Sequence, residues 1–263
     1  MRVIVLGCGG SAGVPLIGGP DGRGDWGVCD PAEPRNRRSR PAIVVAAGGT
    51  QLLVDTGPDL RSQLLSCGIN RIDAVLYTHA HADHVSGIDD VRILNRIVGR
   101  PLEAWGLPHT LAELSERFRY AFQISENQNF FYKPALIARP LDPPARTRIG
   151  ALEVHPFRQN HGFSETLGFR IGPFAYSTDV VELDDTARAI LKGVDTWLVD
   201  CFQRAPHKTH AHLDKVLRWA EELGVRRTVL THMGTDMDWG WLCDHLPAGV
   251  EPAYDGMTIA LET

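Results

Sequence analysis

Thr78-His79-Ala80-His81-Ala82-Asp83-His84 reads H-x-H-x-D-H, three imidazoles and a carboxylate within six positions. Neutral imidazole nitrogen and carboxylate oxygen are the donors that zinc and manganese accept. The chemistry this stretch could do is therefore metal-assisted hydrolysis. A polar loop whose histidines cap backbone groups is the plainer reading. One histidine would favour it; three with an aspartate at this spacing do not. Further donors recur along the chain: His161 after Gln159-Asn160, Asp179 closing Phe174-Ala175-Tyr176-Ser177-Thr178-Asp179, and His232 closing Thr228-Val229-Leu230-Thr231-His232. Each alone reads as a loop residue. Their joint placement at strand ends followed by turns makes the metal reading the better one.

Elements must hold these residues in place. Ile72 to Tyr77 is short, apolar and β-rich, and Val91, Ile93, Leu94, Ile97 and Val98 are spaced for one helix face. The motif thus sits on a strand-to-helix turn at the carboxyl end of a strand, where open α/β sheets place ligands. Arg2 to Leu6 predicts a first strand ending in the glycine-rich Gly7-Cys8-Gly9-Gly10-Ser11-Ala12-Gly13. With Pro15 and Pro20 following, no long helix opens there, so a tight turn beside the site is expected rather than a dinucleotide fingerprint. Residues 18–40 lack periodicity and predict a long surface loop. Within it, Arg35-Asn36-Arg37-Arg38-Ser39-Arg40 is either a solvated face or a source of arginines, Arg38 among them, that reach a substrate phosphate.

A hairpin is expected from Ala42 to Ala46 and Gln51 to Val54 around Gly48-Gly49, with Asp55 beyond it to orient a metal-bound histidine. Pro58 opens a helix carrying Leu60, Leu64 and Leu65, and Pro101 to Trp105 suggests a strand. Thr110 to Phe122 reads as a helix capped by Thr110 with Glu113 completing a capping box. Asn127 to Tyr132 is aromatic and irregular, a lid or a packed edge. Later strands are expected over 151–157, 167–171, 175–177, 196–199 and 228–231, a helix over Leu213 to Leu223, and a last turn and strand over Glu251 to Leu261. No composition break marks a linker, so a single domain over residues 1–263 is expected.

Composition excludes several classes. Hydrophobic residues at 43% and charged residues at 22% are ordinary for a globular chain. The formal net charge of −5 advertises neither a long nucleic-acid groove nor an anionic membrane. Cys8, Cys29, Cys67, Cys201 and Cys243 are scattered and never form C-x-x-C, which argues for a reducing compartment. With no signal-peptide pattern and no bilayer-spanning apolar run, a cytoplasmic enzyme is expected.

These motifs resemble the metallo-β-lactamase superfamily. Within it, the chain is similar to the branch of the phosphoribosyl cyclic phosphodiesterase. The resemblance rests on Leu6-Gly7-Cys8-Gly9, Pro34-Arg35-Asn36-Arg37-Arg38, Leu53-Val54-Asp55-Thr56-Gly57, Thr78 to His84, Ser177-Thr178-Asp179, Leu230-Thr231-His232 and Ala253-Tyr254-Asp255-Gly256. It implies an αββα sandwich of mixed sheets flanked by helices, and two divalent ions, zinc or manganese. His79, His81 and His161 would hold one ion, Asp83, His84 and His232 the other, and Asp179 would bridge. It further implies a phosphodiester as substrate, small and cyclic or nucleotide-like, attacked by a metal-bridging hydroxide. Asp83 and His210 would be the catalytic residues, with His210 as general acid or phosphate ligand; His212 is a weaker substrate-side candidate. His155 is expected in the core and His207 and His245 at the surface. The branch often carries a cysteine-rich structural zinc site, which Asp25-Trp26-Gly27-Val28-Cys29-Asp30 is not expected to form. Partners implied are a small phosphorylated substrate, no membrane, no long nucleic acid, and at most a second copy in a homodimer. The rivals are a ribonuclease Z type nuclease, a glyoxalase II type thioesterase and a non-catalytic cofactor-biosynthesis accessory.

Overall fold

The computed structural model describes residues 1–123 and 135–262. The stretch Asn127 to Tyr132 lies outside the described residues. In chain order the strands are β1 (Arg2–Gly7), β2 (Ala42–Ala47), β3 (Thr50–Val54), β4 (Ala74–Leu76), β5 (Leu102–Gly106), β6 (Leu136–Pro140), β7 (Thr147–Ile149), β8 (Leu152–Asn160), β9 (Glu165–Ile171), β10 (Phe174–Ser177), β11 (Thr196–Asp200), β12 (Arg227–Thr231), β13 (Val250–Pro252) and β14 (Thr258–Ala260). The helices are α1 (Leu60–Ser66), α2 (Ala82–Val85), α3 (Val91–Val98), α4 (Pro108–Arg117), α5 (Arg119–Phe122), α6 (Asp185–Leu191), α7 (Leu213–Leu223) and α8 (Trp239–His245).

Two mixed seven-stranded sheets form, ordered β14-β1-β2-β3-β4-β5-β6 and β13-β12-β11-β10-β9-β8-β7. Strand alternation decides which face meets which layer. Val3, Val5, Ile43, Val45, Leu52 and Val54 join Val154, Phe157, Leu167 and Phe169 in one apolar cluster between the sheets. Their neighbours Ile4, Leu6, Val44, Leu53 and Val75 pack instead with Leu60, Leu64, Leu94 and Leu111 of α1, α3 and α4. On the far side Ile190, Trp219 and Leu242 bring α6, α7 and α8 onto the second sheet. Each such fully buried aliphatic chain contributes about 1.5–3 kcal/mol of transfer free energy. The result is the αββα sandwich that the resemblance implies. Among the described residues, no helix is long and apolar enough to cross a membrane.

The hairpin expected at Gly48-Gly49 forms as a two-residue turn, with φ of 57° and 80° that suit glycine. Other expectations shift. Helix α4 begins at Pro108 after Leu107, whose ψ of 148° is the extended geometry a following proline imposes. Thr110 is therefore buried inside the first turn and caps nothing, while Glu113 pairs with Arg117 one turn on. At α1 the cap position falls to Asp59, whose carboxylate takes the Arg40 N–H at 2.9 Å instead of a helix amide. Helices α6 and α8 and strands β6 and β7 appear where no element was expected.

Parallel pairing is what gathers the candidate residues. β3 and β4 are parallel, as are β10, β11 and β12, so their carboxyl ends fall on common edges. Backbone contacts draw the edges of the two sheets together: Leu167 N donates to Thr78 O at 3.0 Å, Gly10 N to Met233 O at 3.1 Å, and Met233 N to Cys8 O at 2.9 Å. The glycine-rich turn thus clamps the segment after His232, and a Cβ at Gly10 would meet the Phe202 ring at 2.7 Å.

The Asp55-Thr56-Gly57 turn locks the metal motif by the same means. Thr56 N donates to His84 O at 2.7 Å and Gly87 N to Thr56 O at 2.8 Å. A Cβ on Gly57 would sit 2.4 Å from the Asp83 carbonyl oxygen, a backbone atom that cannot swing aside. Gly57→Ala is expected to cost about 1–3 kcal/mol by overpacking, read as a Tm several degrees lower in thermal denaturation. An unchanged Tm would show that the turn yields freely.

Candidate metal centre

The carboxyl ends of β3, β4, β10, β11 and β12 and the turn after β8 bring Asp55, the Thr78 to His84 motif, Asp179, Asp200, His232 and His161 to one place. Asp55, Asp179 and His232 have φ of 64°, 51° and 56°, the left-handed region that non-glycine residues seldom enter. Such backbone strain needs surrounding structure to hold it and tends to concentrate at working sites. Here it turns each side chain off its strand end toward the centre.

Among the described residues two groups of donors meet at Asp179, namely His79, His81, His161 and Asp179, and Asp83, His84, Asp179 and His232, while Asp200, His210 and His232 form a third. Asp179 divides its carboxylate between the first two. Its Oδ1 lies 3.5 Å from His161 Nε2 and 4.0 Å from His79 Nε2, while Oδ2 lies 3.0 Å from His84 Nε2 and 3.3 Å from His232 Nε2. Asp83 Oδ2 sits 3.2 Å from His84 Nε2 and 3.7 Å from His232 Nε2. All these side chains are buried except His81, which is exposed and marks the mouth.

Hydrogen bonds on the outer side settle which ring nitrogen faces inward. His84 Nδ1 donates to Asp55 Oδ2 at 2.7 Å. Asp55 also accepts from Thr78, its Oδ1 from the amide at 2.9 Å and its Oδ2 from the hydroxyl at 2.8 Å. With that hydroxyl proton committed, His79 Nδ1 donates to Thr78 Oγ1 at 3.0 Å. His161 Nδ1 donates to the Thr209 carbonyl at 2.7 Å. In the neutral ring each Nε2 is then left with a lone pair aimed at carboxylate oxygen. Nε2 of His79, His84 and His232 and Oδ2 of Asp83 are buried with no hydrogen-bond partner. Lone pairs facing carboxylates repel unless a cation lies between them, so the donor set fits divalent metal.

Electrostatics give the same picture. Burial would hold His84 and His232 neutral, yet Asp179 and Asp83 outweigh it. His84 is lifted well above its ordinary value and His232 is raised to about 9. Burial would likewise raise Asp83 and Asp179, but the facing histidines hold both below the carboxylate range. His79 and His161 are pushed down by burial first. A metal entering the second group therefore displaces protons from His84 and His232.

Asp200 is a residue the sequence reading missed. Fully buried, it accepts from His210 Nδ1 at 3.0 Å and from Val180 N at 3.0 Å, and its Oδ1 lies 3.7 Å from His232 Nδ1. It does not hold His232 as Asp55 holds His84, for His232 Nδ1 and Asp200 Oδ1 are both buried without a hydrogen-bond partner. The available signal was an acid ending the apolar strand Trp197-Leu198-Val199-Asp200. His210 is placed 3.9 Å from Asp179 Oδ1, its ring stacked with those of Phe202 and His232 at 4.9 and 4.8 Å.

Other candidates fall elsewhere. His212 is the residue before α7 and belongs to none of the donor groups. Arg38 has its guanidinium engaged with backbone carbonyls. It is 2% exposed, with NH2 donating to Met237 O at 2.6 Å and NH1 to Gly234 O at 3.3 Å. Its charge braces the chain just beyond His232. Cys29 is buried, with its thiol donating to Thr235 O at 3.4 Å. His155 is half-buried rather than in the core, and His207 stands near the site, 5.1 Å from the His210 ring.

Comparisons with known proteins agree with this geometry. A family model described as the beta-lactamase superfamily domain matches residues 50–233. A crystal structure described as a new diphosphatase from the PhnP family superposes with a TM-score of 0.88 at 35% identity, covering 98% of this chain and 97% of that one. An octanoyltransferase of Porphyromonas gingivalis is 28% identical over the whole of this chain, which covers 52% of that protein. A ribonuclease Z of Methanopyrus kandleri is 32% identical over 53% of this chain and 46% of its own length. The chain thus spans about half the length of these two curated relatives.

Asp55→Asn keeps the shape of the side chain and removes the charge that orients His84. Loss of such a partner typically weakens metal affinity ~10–100-fold. That weakening is expected in competition titrations with a chromophoric chelator, and wild-type affinity would mean that Asp55 does not tune the site.

Proposed function

The chain belongs to the beta-lactamase superfamily, and from that membership and its donor geometry we propose a metal-dependent hydrolase acting on a small phosphodiester. The observation that carries the reading is the division of Asp179, one oxygen toward each of the two donor groups that meet at it. Seven donors exceed what one tetrahedral ion takes, and a carboxylate shared between two groups suits two ions. His79, His81 and His161 would hold one, Asp83, His84 and His232 the other. Ions so held would lower the pKa of bound water toward ~7 and offset charge gathering on phosphoryl oxygens.

The remaining work falls to the chain itself. Two divalent cations held by two ligating aspartates would leave a net positive centre, which would favour an anionic, tetrahedral electrophile over a neutral amide. His210 then supplies a proton to the departing alkoxide. With Nδ1 held by Asp200, its Nε2 is the atom free to face that oxygen, and stacking between Phe202 and His232 fixes the ring plane. Asp83 holds its oxygens at the second group and keeps the facing imidazoles in register.

A diphosphate link is the second reading, supported by the similarity to the PhnP-family diphosphatase. Both substrates present a phosphorus carrying two bridging oxygens, two esters in one case and an ester and an anhydride in the other, and both need the leaving oxygen stabilised.

The test begins with turnover of bis(p-nitrophenyl) phosphate by the zinc- or manganese-loaded protein, followed by small cyclic phosphodiesters and dinucleoside diphosphates. Absence of turnover with the metal fully bound would overturn the enzyme reading. General acid catalysis is typically worth ~10²–10⁴-fold, and a nitrophenolate needs little protonation. His210→Ala is therefore expected to bind metal normally and to lose kcat by about that factor on a ribose-type diester, with far less loss on bis(p-nitrophenyl) phosphate. Equal losses on both would make His210 a phosphate-positioning residue instead.

A further inference from the structure

The turn between β8 and β9 is His161-Gly162-Phe163-Ser164, and its backbone is closed. His161 N donates to Ser164 O at 2.9 Å, Phe163 N to His161 O at 3.0 Å, and Gly162 N to the Asn160 side chain at 2.7 Å. Gly162, with φ of 76°, is pressed against the loop that carries His210. A Cβ there would meet Thr209 Cγ2 at 2.7 Å and Lys208 O at 3.1 Å. The turn is thus tight and braced from one side.

Phe163, at its tip, is 93% exposed. It lines a cavity of about 620 Å³ together with Asn160, Arg158, Glu165 and Glu182. Single exposed apolar side chains are common, and Ile17 and Leu65 are such cases in this protein. Phe163 differs from them in its place beside the candidate centre. It is held on a hydrogen-bonded turn, so ordering the segment adds little cost to binding. It also follows His161 by two residues, which keeps their Cα atoms within ~7.6 Å, and His161 Nε2 lies 3.5 Å from Asp179. The turn that carries Phe163 therefore also supplies a candidate metal donor, and a substituent on a phosphate held at the donor groups would lie beside this turn.

Those polar lining residues are engaged within the protein: Glu165 is paired with Arg158, Glu182 with the Lys215 ammonium, and Asn160 Oδ1 accepts from Gly162 N. The feature left open is the aromatic ring, whose face suits a planar base. A plain alkyl ester would not use it. We propose that Phe163 is a specificity-determining residue whose ring stacks on the nucleobase of a nucleoside phosphodiester held at the donor groups. This rests on the phosphodiesterase reading for the position of the phosphate, and it names the class of substituent that the ester carries.

The test compares two ligands sharing a phosphate and ribose, one with a base and one without. Binding of AMP and of ribose 5-phosphate would be measured by calorimetry on the metal-loaded full chain, for wild type, Phe163→Ala, Phe163→Leu and Phe163→Trp. Stacking on an aromatic side chain typically contributes enough to change affinity on the order of 10-fold or more. Wild type is expected to bind AMP at least ~10-fold more tightly than ribose 5-phosphate. Phe163→Ala and Phe163→Leu should collapse that ratio while leaving ribose 5-phosphate binding intact, and Phe163→Trp should keep it. Equal binding of the two ligands by wild type, or a ratio that survives Phe163→Ala, would overturn the proposal. Turnover of bis(p-nitrophenyl) phosphate, run in parallel, separates the two readings. A wild type that prefers AMP yet cleaves no diester would remove the phosphodiesterase function and leave the stacking platform standing.

Discussion

Asp55, Asp83, Asp179 and Asp200 are all buried around a single point, and their mutual repulsion is the constraint on which the rest of the site depends. Burying unpaired carboxylates is costly, several kcal/mol per ion even after relaxation. The chain offsets that cost with imidazoles rather than with lysine or arginine. Imidazole can present a lone pair, so positive charge at this point can be carried by protons on His84 and His232 or by metal. Asp55 holds the outer nitrogen of His84 and Asp200 that of His210; Asp83 and Asp179 face the inner nitrogens of His84 and His232. The same arrangement that makes the cluster repulsive without cations makes it a set of groups that could hold them.

The fold supplies the rigidity this needs. Two sheets packed face to face bring their strand ends to one edge, and backbone hydrogen bonds from the glycine-rich turn and from Thr78 hold the sheets in register there. Left-handed backbone at Asp55, Asp179 and His232 turns the side chains inward off extended strands. The close approach of Gly57 to Asp83 O leaves no slack in the motif turn. Arg38 completes the support from the far side, its guanidinium donating to the carbonyls of residues 234 and 237.

Much of this was legible in the sequence because the signals are local. H-x-H-x-D-H packs its donors into one turn, and Asp179 and His232 close apolar runs whose strand character is plain. Asp55 was readable from the Asp-Thr-Gly that it opens at the end of a strand. Asp200 carries the same strand-end signal, but with no neighbouring motif it reads as the ordinary end of a buried strand. The N-terminus of α4 was misread because Thr110 and Glu113 fit a capping box, while the proline at position 108 had already set the first turn. Helices α6 and α8 span seven residues each, too few turns to show a period. The role of Arg38 depends on carbonyls about two hundred residues away, which no local pattern encodes. Phe163 is a different case: its exposure and its braced turn are visible only once His161 is positioned.

The central claim is that Asp179 joins two metal ions through its two oxygens. Loading the metal-free protein with Mn²⁺ while following stoichiometry by mass spectrometry and the spin state by electron paramagnetic resonance tests it most directly. Two equivalents bound, with the spectrum of an exchange-coupled pair, is the predicted result. Saturation at one equivalent, or two equivalents showing the hyperfine pattern of isolated ions, would contradict it.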